Sequence, residues 1–374
     1  MIKILITGDY CPINRIEELS LNNKHEQIFN DFLPKIKEVD IAITNLECPL
    51  IDEDYISEKF GPSLKASTKT IETLKFAGFD VVTLSNNHIM DHGEAGLKST
   101  LECLKINGID FVGVGNDLER ARKPLIKNIK NKKIAFFNFA ENEFSNTHGD
   151  YPGSNPLSLV SNFNDIRNYK NLVDKIIVIF HGGNEMYQLP SPRLKETFRF
   201  FVDSGADAVI SHHTHCFSGY EIYNNAPIFY SLGNFIFDYN LSKNELWNIG
   251  MGVVLKIENS KINFEIIPFS QNKNDNIGLM LLNEKEKNKF NNKIIELNSI
   301  IADDKKLNTE FQKFIESKEQ QYSHYLEPYS NKILHGLFGR KIIPSFYSKK
   351  KKQLLLNLIR CESHRDIILK LLSK

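Results

Sequence analysis

An α/β fold is what this sequence predicts, and three observations predict it. Short apolar, β-branched runs alternate with helix-like segments through the first half of the chain. Several of those runs end abruptly in Asp, Asn, Glu or His, as strands do when their carboxyl ends line the crevice of an open α/β sheet. Later strand-like runs lie close together, which points to a second or mixed sheet. With 374 residues the chain can hold one large α/β domain and a smaller one.

Taken in order, Lys3–Gly8 reads as a strand running straight into Asp9. Glu26–Lys37 is helix-like, and Asp40–Thr44 is a strand that ends in Asn45-Leu46-Glu47. Asp52–Leu64 is a polar loop, and Thr68–Ala77 is a helix stopped by Gly78. Val81–Leu84 is a strand that breaks into Ser85-Asn86-Asn87-His88, with Asp91 and a helix from about Gly96 to Asn107 beyond it. Asp110–Val114 and Lys133–Phe139 are further strands. Ile176–Phe180 ends in His181-Gly182-Gly183-Asn184-Glu185, a helix covers Leu194–Asp203, and Ala208–Ile210 ends in Ser211-His212-His213-Thr214-His215. Ala226–Tyr230 leads into Ser231-Leu232-Gly233-Asn234, and Gly250–Glu258 with Lys261–Phe269 form a hairpin turning at Asn259-Ser260.

Near Asn272 the composition shifts toward Asn and Lys. Phe290, Ile294, Leu297 and Ile301 recur at helical spacing, and Leu355, Leu358, Ile368 and Leu371 trace another helix. The expected organisation is a domain over residues 1–272 and a helical appendage over 273–374.

A net charge of +1 supplies no global field, so no nucleic-acid partner is expected. The five cysteines are scattered without a Cys-x-x-Cys pair, which argues against a disulfide framework and for a reducing compartment. The opening MIKILITGDY reads as a strand rather than a signal peptide. No apolar run approaches the roughly 20 residues of a membrane span. A cytoplasmic location is expected. Lys349–Lys352 is either an ordinary solvated run or, with Gln353-Leu354-Leu355-Leu356 behind it, a segment suited to peripheral contact with the inner membrane surface.

The strand ends deliver Asp9; Asn45 and Glu47; Asn87 and His88; His181 and Glu185; His213 and His215. Imidazoles and carboxylates with one amide oxygen suit a pair of borderline-hard divalent ions, Mn²⁺ first, Fe²⁺ or Zn²⁺ otherwise. Two such ions about 3.5–4 Å apart can hold a phosphate and acidify a water. A shared carboxylate is then needed, and Glu47 is the natural candidate. His88, left off the metal, can donate to a leaving oxygen. Asp91 either orients His88 or closes its loop. Glu185 is a substrate group, a group that supports a ligand from behind, or a helix start, and Asn45 and Asn234 are expected at the substrate. His212 points away and His92 is expected at the surface or a cap. Cys11, Cys48 and Cys216 fit small buried residues better than thiolate ligands.

Gly8-Asp9, Asn45-Leu46-Glu47-Cys48-Pro49-Leu50, Ser85-Asn86-Asn87-His88 with Asp91 and Gly93, His181-Gly182-Gly183-Asn184-Glu185, His213-Thr214-His215 and Ser231-Leu232-Gly233-Asn234-Phe235-Ile236-Phe237-Asp238 follow in that order. Over roughly residues 1–270 this resembles the CapA family of capsule and poly-γ-glutamate biosynthesis proteins, itself similar to calcineurin-like metallophosphoesterases. The resemblance implies a four-layer αββα sandwich with metals at one edge. It puts ligand roles on Asp9, Glu47, Asn87, His181, His213 and His215, and an acid or transition-state role on His88. Two positions depart from the phosphoesterase pattern. Tyr10 and Cys11 follow Asp9 where Asp-x-His is usual, and Glu47 stands where an Asp is usual.

Two functions follow as expectations. One is a metal-dependent phosphoesterase acting on a phosphorylated glycan or other cell-envelope intermediate. The other is a non-catalytic assembly factor whose cleft binds polymer or capsule-synthesis proteins. Amide-bond chemistry would need ATP from a partner, because the chain has no G-x-x-x-x-G-K-[ST] motif.

Overall fold

The computed structural model describes residues 1–57, 59, 61–239, 245–258, 261–272, 277–326 and 331–360. Two compact units result, Met1–Asn308 and Thr309–Lys374. Strands of the first unit are β1 (Ile2–Cys11), β2 (Ile41–Leu46), β3 (Val81–Thr83), β4 (Asp110–Val112), β5 (Val114–Gly115), β6 (Leu125–Ile129), β7 (Lys132–Ala140) and β8 (Gly153–Ser154). They continue as β9 (Lys175–His181), β10 (Ala208–His212), β11 (Tyr220–Tyr223), β12 (Ala226–Phe229), β13 (Asn234–Phe237), β14 (Ile249–Glu258), β15 (Lys261–Gln271) and β16 (Leu279–Leu281).

One sheet runs β16-β15-β14-β1-β2-β3-β4, with β13 pairing the far end of β1; the other runs β11-β12-β10-β9-β7-β6. The strands β1 to β4 are parallel to one another, as β9 is to β7 and β10. Parallel neighbours require crossovers. The helices Ile71–Ala77, Gly93–Ile106 and Pro192–Ser204 supply them.

Alternation along the strands gives each face of the first sheet its own core. Ile4, Ile6, Ile43 and Val81 share a buried cluster with Phe136, Val178 and Ile179 of the second sheet. Leu5, Ala42 and Val82, one residue out of phase, pack instead with Ile28, Phe32, Leu74 and Leu97 from helices. Across the second sheet, Phe198 and Phe201 of the helix Pro192–Ser204 meet the ring of Phe180. Helix, sheet, sheet, helix is the expected four-layer sandwich. Each large apolar side chain buried in it contributes about 1.5–3 kcal/mol.

Tertiary contacts redraw several elements. β1 continues past Gly8 to Cys11 because β13 pairs with it from Asp9 onward. The close approach requires glycine there: a Cβ on Gly8 would lie 1.9 Å from the Gly233 carbonyl oxygen. The helix expected over Glu26–Lys37 splits into His25–Phe29, a 3-10 turn at Asn30–Phe32 and Leu33–Lys37, where Pro34 opens the last piece. Proline suits a first helical turn and not an interior. The polar edge strands β6 and β11 have no clear apolar period in sequence, and the helix Leu159–Tyr169, whose Leu159, Phe163, Ile166 and Tyr169 recur at helical spacing, is added to the expected elements. The hairpin of β14 and β15 forms as expected, its turn at Asn259-Ser260 lying outside the described residues, as do Ile368 and Leu371.

The first unit also runs past the boundary drawn at 272. Phe290, Ile294, Leu297 and Ile301 of the helix Glu284–Ile301 are buried in the cluster that holds the second sheet. An amphipathic stripe announces a buried face without saying what buries it. Among the described residues no helix is long and apolar enough to cross a membrane.

Candidate metal centre

The carboxyl ends of β1, β2, β9 and β10 and the loop after β3 meet along one edge of the sandwich. Asp9 comes from β1, Glu47 follows β2, Asn87 follows β3, His181 ends β9, and His213 and His215 follow β10. Two sets of ligating atoms form there: Glu47 with His181 and His213, and Asp9 with Glu47 and His215, each set lying within 4.8 Å. Glu47 belongs to both.

Glu47 is fully buried, and neither carboxylate oxygen has a hydrogen-bond partner. The imidazole nitrogens beside it, His181 Nε2 at 3.6 Å and His215 Nε2 at 3.7 Å, stand beyond bonding distance. Burial first, and the Asp9 carboxylate second, raise the Glu47 carboxyl well above the ordinary range. A buried carboxylate is costly unless a cation compensates it. The geometry around Glu47 fits that need.

The surrounding groups are aimed at the same space. His181 Nε2 lies 2.9 Å from Asn87 Oδ1 and 3.1 Å from His213 Nδ1, so three donor atoms crowd together. Burial holds the His181 and His215 imidazoles below their usual range, the neighbouring histidines adding to it at His181. Both therefore offer lone pairs at neutral pH. His213 and His215 take φ values of 89° and 56°, a left-handed conformation that costs energy outside glycine and clusters at functional sites. The His213 backbone N–H in turn donates to Asp9 Oδ2 at 3.1 Å.

His88 stands beside this set, 7% exposed. Its Nδ1 contacts Asp91 Oδ2 at 2.7 Å, and the backbone N–H of Leu64 donates to the same oxygen at 2.7 Å. The other Asp91 oxygen pairs with the ammonium of Lys59, whose side chain is only 6% exposed and lies 3.2 Å from His88 Nδ1. Asn86 Oδ1 accepts from the backbone N–H groups of His88 and Ile89 and fixes the turn. Asp91 thus both orients His88 and closes the loop. Lys59 escapes a sequence reading because one lysine in a polar loop carries no periodic or motif signal.

Other expected residues land differently. Asn45 and Asn234, expected at the substrate, are fully buried and hold ligand candidates instead. Asn45 Nδ2 donates to Asp9 Oδ1 at 2.8 Å. Asn234 spends its amide on the His215 and Trp247 carbonyls, so its Oδ1 accepts from His215 Nδ1 at 2.9 Å and leaves Nε2 facing Glu47. Their strands are the reason: β2 and β13 flank β1, which turns these side chains into brackets. Glu185 is exposed, and its charge reaches both Glu47 and His215. His212 bonds the Thr7 carbonyl, as a structural residue would. His92 is buried rather than superficial, but it does stand at the N-cap position of the helix Gly93–Ile106, its Nδ1 accepting from the Tyr55 backbone N–H at 2.9 Å. Burial raises the thiols of Cys11 and Cys216, the latter to about 12, so both keep their protons.

Comparison with known proteins adds the following. A family model described as bacterial capsule synthesis protein PGA_cap matches residues 3–239, well over half of the chain. A capsule biosynthesis protein CapA of Bacillus anthracis is 30% identical over 242 residues, 62% of this chain and 59% of that protein. A PGA biosynthesis protein CapA of Bacillus subtilis is 29% identical over 239 residues, 62% of each. A probable polyglutamine synthesis accessory protein of Mycobacterium tuberculosis is 26% identical over 215 residues, 54% of this chain and 56% of that one. The matched region spans about three fifths of the length of these curated relatives.

Proposed function

The chain belongs to the bacterial capsule synthesis protein family, and from that premise we propose that it is a metal-dependent phosphoesterase of capsule or poly-γ-glutamate biosynthesis. In this reading the substrate is a phosphorylated glycan or other cell-envelope intermediate, and the partners are proteins of the capsule-synthesis machinery. One observation carries it. Glu47, buried with two unbonded oxygens, is common to two sets of ligating atoms.

Asp9, Glu47 and His215 would hold one divalent ion, and Glu47, Asn87, His181 and His213 the other. Mn²⁺ suits this mixture of oxygen and imidazole nitrogen first, with Fe²⁺ or Zn²⁺ as alternatives. Divalent ions bound there polarise a phosphoryl group and lower the pKa of water. The chain's own groups account for the rest. Asn45 and the His213 backbone N–H keep Asp9 in place, and Asn234 keeps His215 Nε2 free. Asp91 fixes the His88 ring through Nδ1, which leaves Nε2 to hand a proton to the leaving oxygen. Lys59 braces Asp91 from the opposite side.

The names of the relatives describe synthesis and accessory roles, which favours a second reading: an assembly factor that binds polymer or synthase partners through the same cleft. Metal content by mass spectrometry, joined to phosphodiester and phosphomonoester hydrolysis in Mn²⁺, separates the two. For the enzyme, about two ions per chain are expected. Turnover should vanish in His213→Ala and His88→Asn, with metal retained in His88→Asn. One ion or none, with no turnover on either ester, would move the assignment to the assembly factor.

A further inference from the structure

We propose that residues 331–360 form an element that docks on an anionic lipid bilayer. The stretch holds Lys332, Arg340, Lys341, Lys349, Lys350, Lys351, Lys352 and Arg360 and not one Asp or Glu, in a chain whose net charge is only +1. Several of its described apolar side chains are exposed. Ile333 is 72% exposed, Ile342 63%, Phe346 64% and Ile359 54%. The helix Lys332–Gly339 buries no residue although half of it is Ile, Leu or Phe. Among the described side chains from 331 to 360, none is buried.

Two features favour a surface over water alone. Four lysines open the helix Lys349–Arg360, where the positive end of the helix dipole opposes them. A helix of that length also gains from a surface to pack on. An anionic bilayer answers both: its headgroups neutralise the lysines, and its acyl boundary receives the isoleucines and phenylalanine. A nucleic acid would answer the charge and leave the aliphatic side chains in water. The interleaving of cations with exposed aliphatic residues therefore selects the membrane. This inference stands apart from the chemistry of the cleft and survives if the protein hydrolyses nothing.

The test is co-sedimentation of the full chain with vesicles of phosphatidylcholine alone or mixed with phosphatidylglycerol, with and without added salt. Two variants accompany wild type: Lys349, Lys350, Lys351 and Lys352 all changed to Gln, and Ile342→Ser with Phe346→Ser. Circular dichroism verifies that each variant is folded. Wild type should sediment with the mixed vesicles and gain helicity, and remain in solution with phosphatidylcholine. The glutamine variant should lose at least about tenfold in affinity, because each cation near an anionic surface counts separately. The serine variant should bind more weakly at every salt concentration. Wild type that ignores the mixed vesicles, or a serine variant that binds as well as wild type, would each overturn the proposal.

Discussion

Replacing Glu47 by Gln should stabilise the metal-free protein and remove its stabilisation by metal. In the absence of an ion both Glu47 oxygens are buried without partners, and each unsatisfied buried polar group costs about 1–3 kcal/mol. Glutamine keeps the shape, drops the charge beside Asp9, and offers N–H groups to neighbours that accept: the Asp9 carboxylate and the His181 and His215 lone pairs. The expected gain is about 1–3 kcal/mol, or roughly 2–5 °C in Tm for a unit of this size. The sign of the pH dependence follows from the raised Glu47 carboxyl. A carboxyl raised by folding holds its proton more tightly in the native state. The part of the wild-type penalty that comes from ionisation is therefore absent below the unfolded value of about 4.3 and grows as pH climbs toward the folded one. Thermal melts of chelator-treated proteins should show a Tm gap that opens from about pH 4 toward neutrality. Mn²⁺ at a hundredfold over its dissociation constant should add about 2.7 kcal/mol to wild type and far less to the variant, reversing their order. A metal-free wild type that melts at or above Glu47→Gln at neutral pH, or a gap indifferent to pH, would refute the reasoning.

Three further outcomes are expected. Trp247 is the sole tryptophan, its ring centroid 4.7 Å from that of His215, so Mn²⁺ should quench its fluorescence and His215→Ala should abolish the response at the same concentrations. Asn234→Ala frees the His215 ring to rotate and should weaken binding of one ion by about 10–100-fold, read by calorimetric titration. Lys59→Met leaves Asp91 buried without its cation and should cost about 3 kcal/mol in denaturant unfolding; adding Asp91→Asn should recover part of that loss, and strictly additive losses would mean that the pair is not coupled.

The residues that meet at the cleft were legible because their signal is local. An apolar run followed at once by Asp, Glu, Asn or His marks a strand end, and Asp9, Glu47, Asn87, His181, His213 and His215 all lie just beyond such runs. Parallel strands then bring those ends to one edge whatever the loops between them do. The same local signal could not tell an outward side chain from a bracket. Asn45 faces Asp9 and Asn234 faces His215 only because β2 and β13 both pair with β1, partners 36 residues or more apart in sequence. Lys59 reaches Asp91 across 32 residues of chain, and the helix Glu284–Ile301 finds its place against a sheet formed far upstream. Periodicity and strand-end chemistry, fixed by neighbours a few residues away, determined the fold class and the donors at the cleft. Which groups hold those donors in place, and where the first unit ends, were decided by long-range packing that no local pattern encodes.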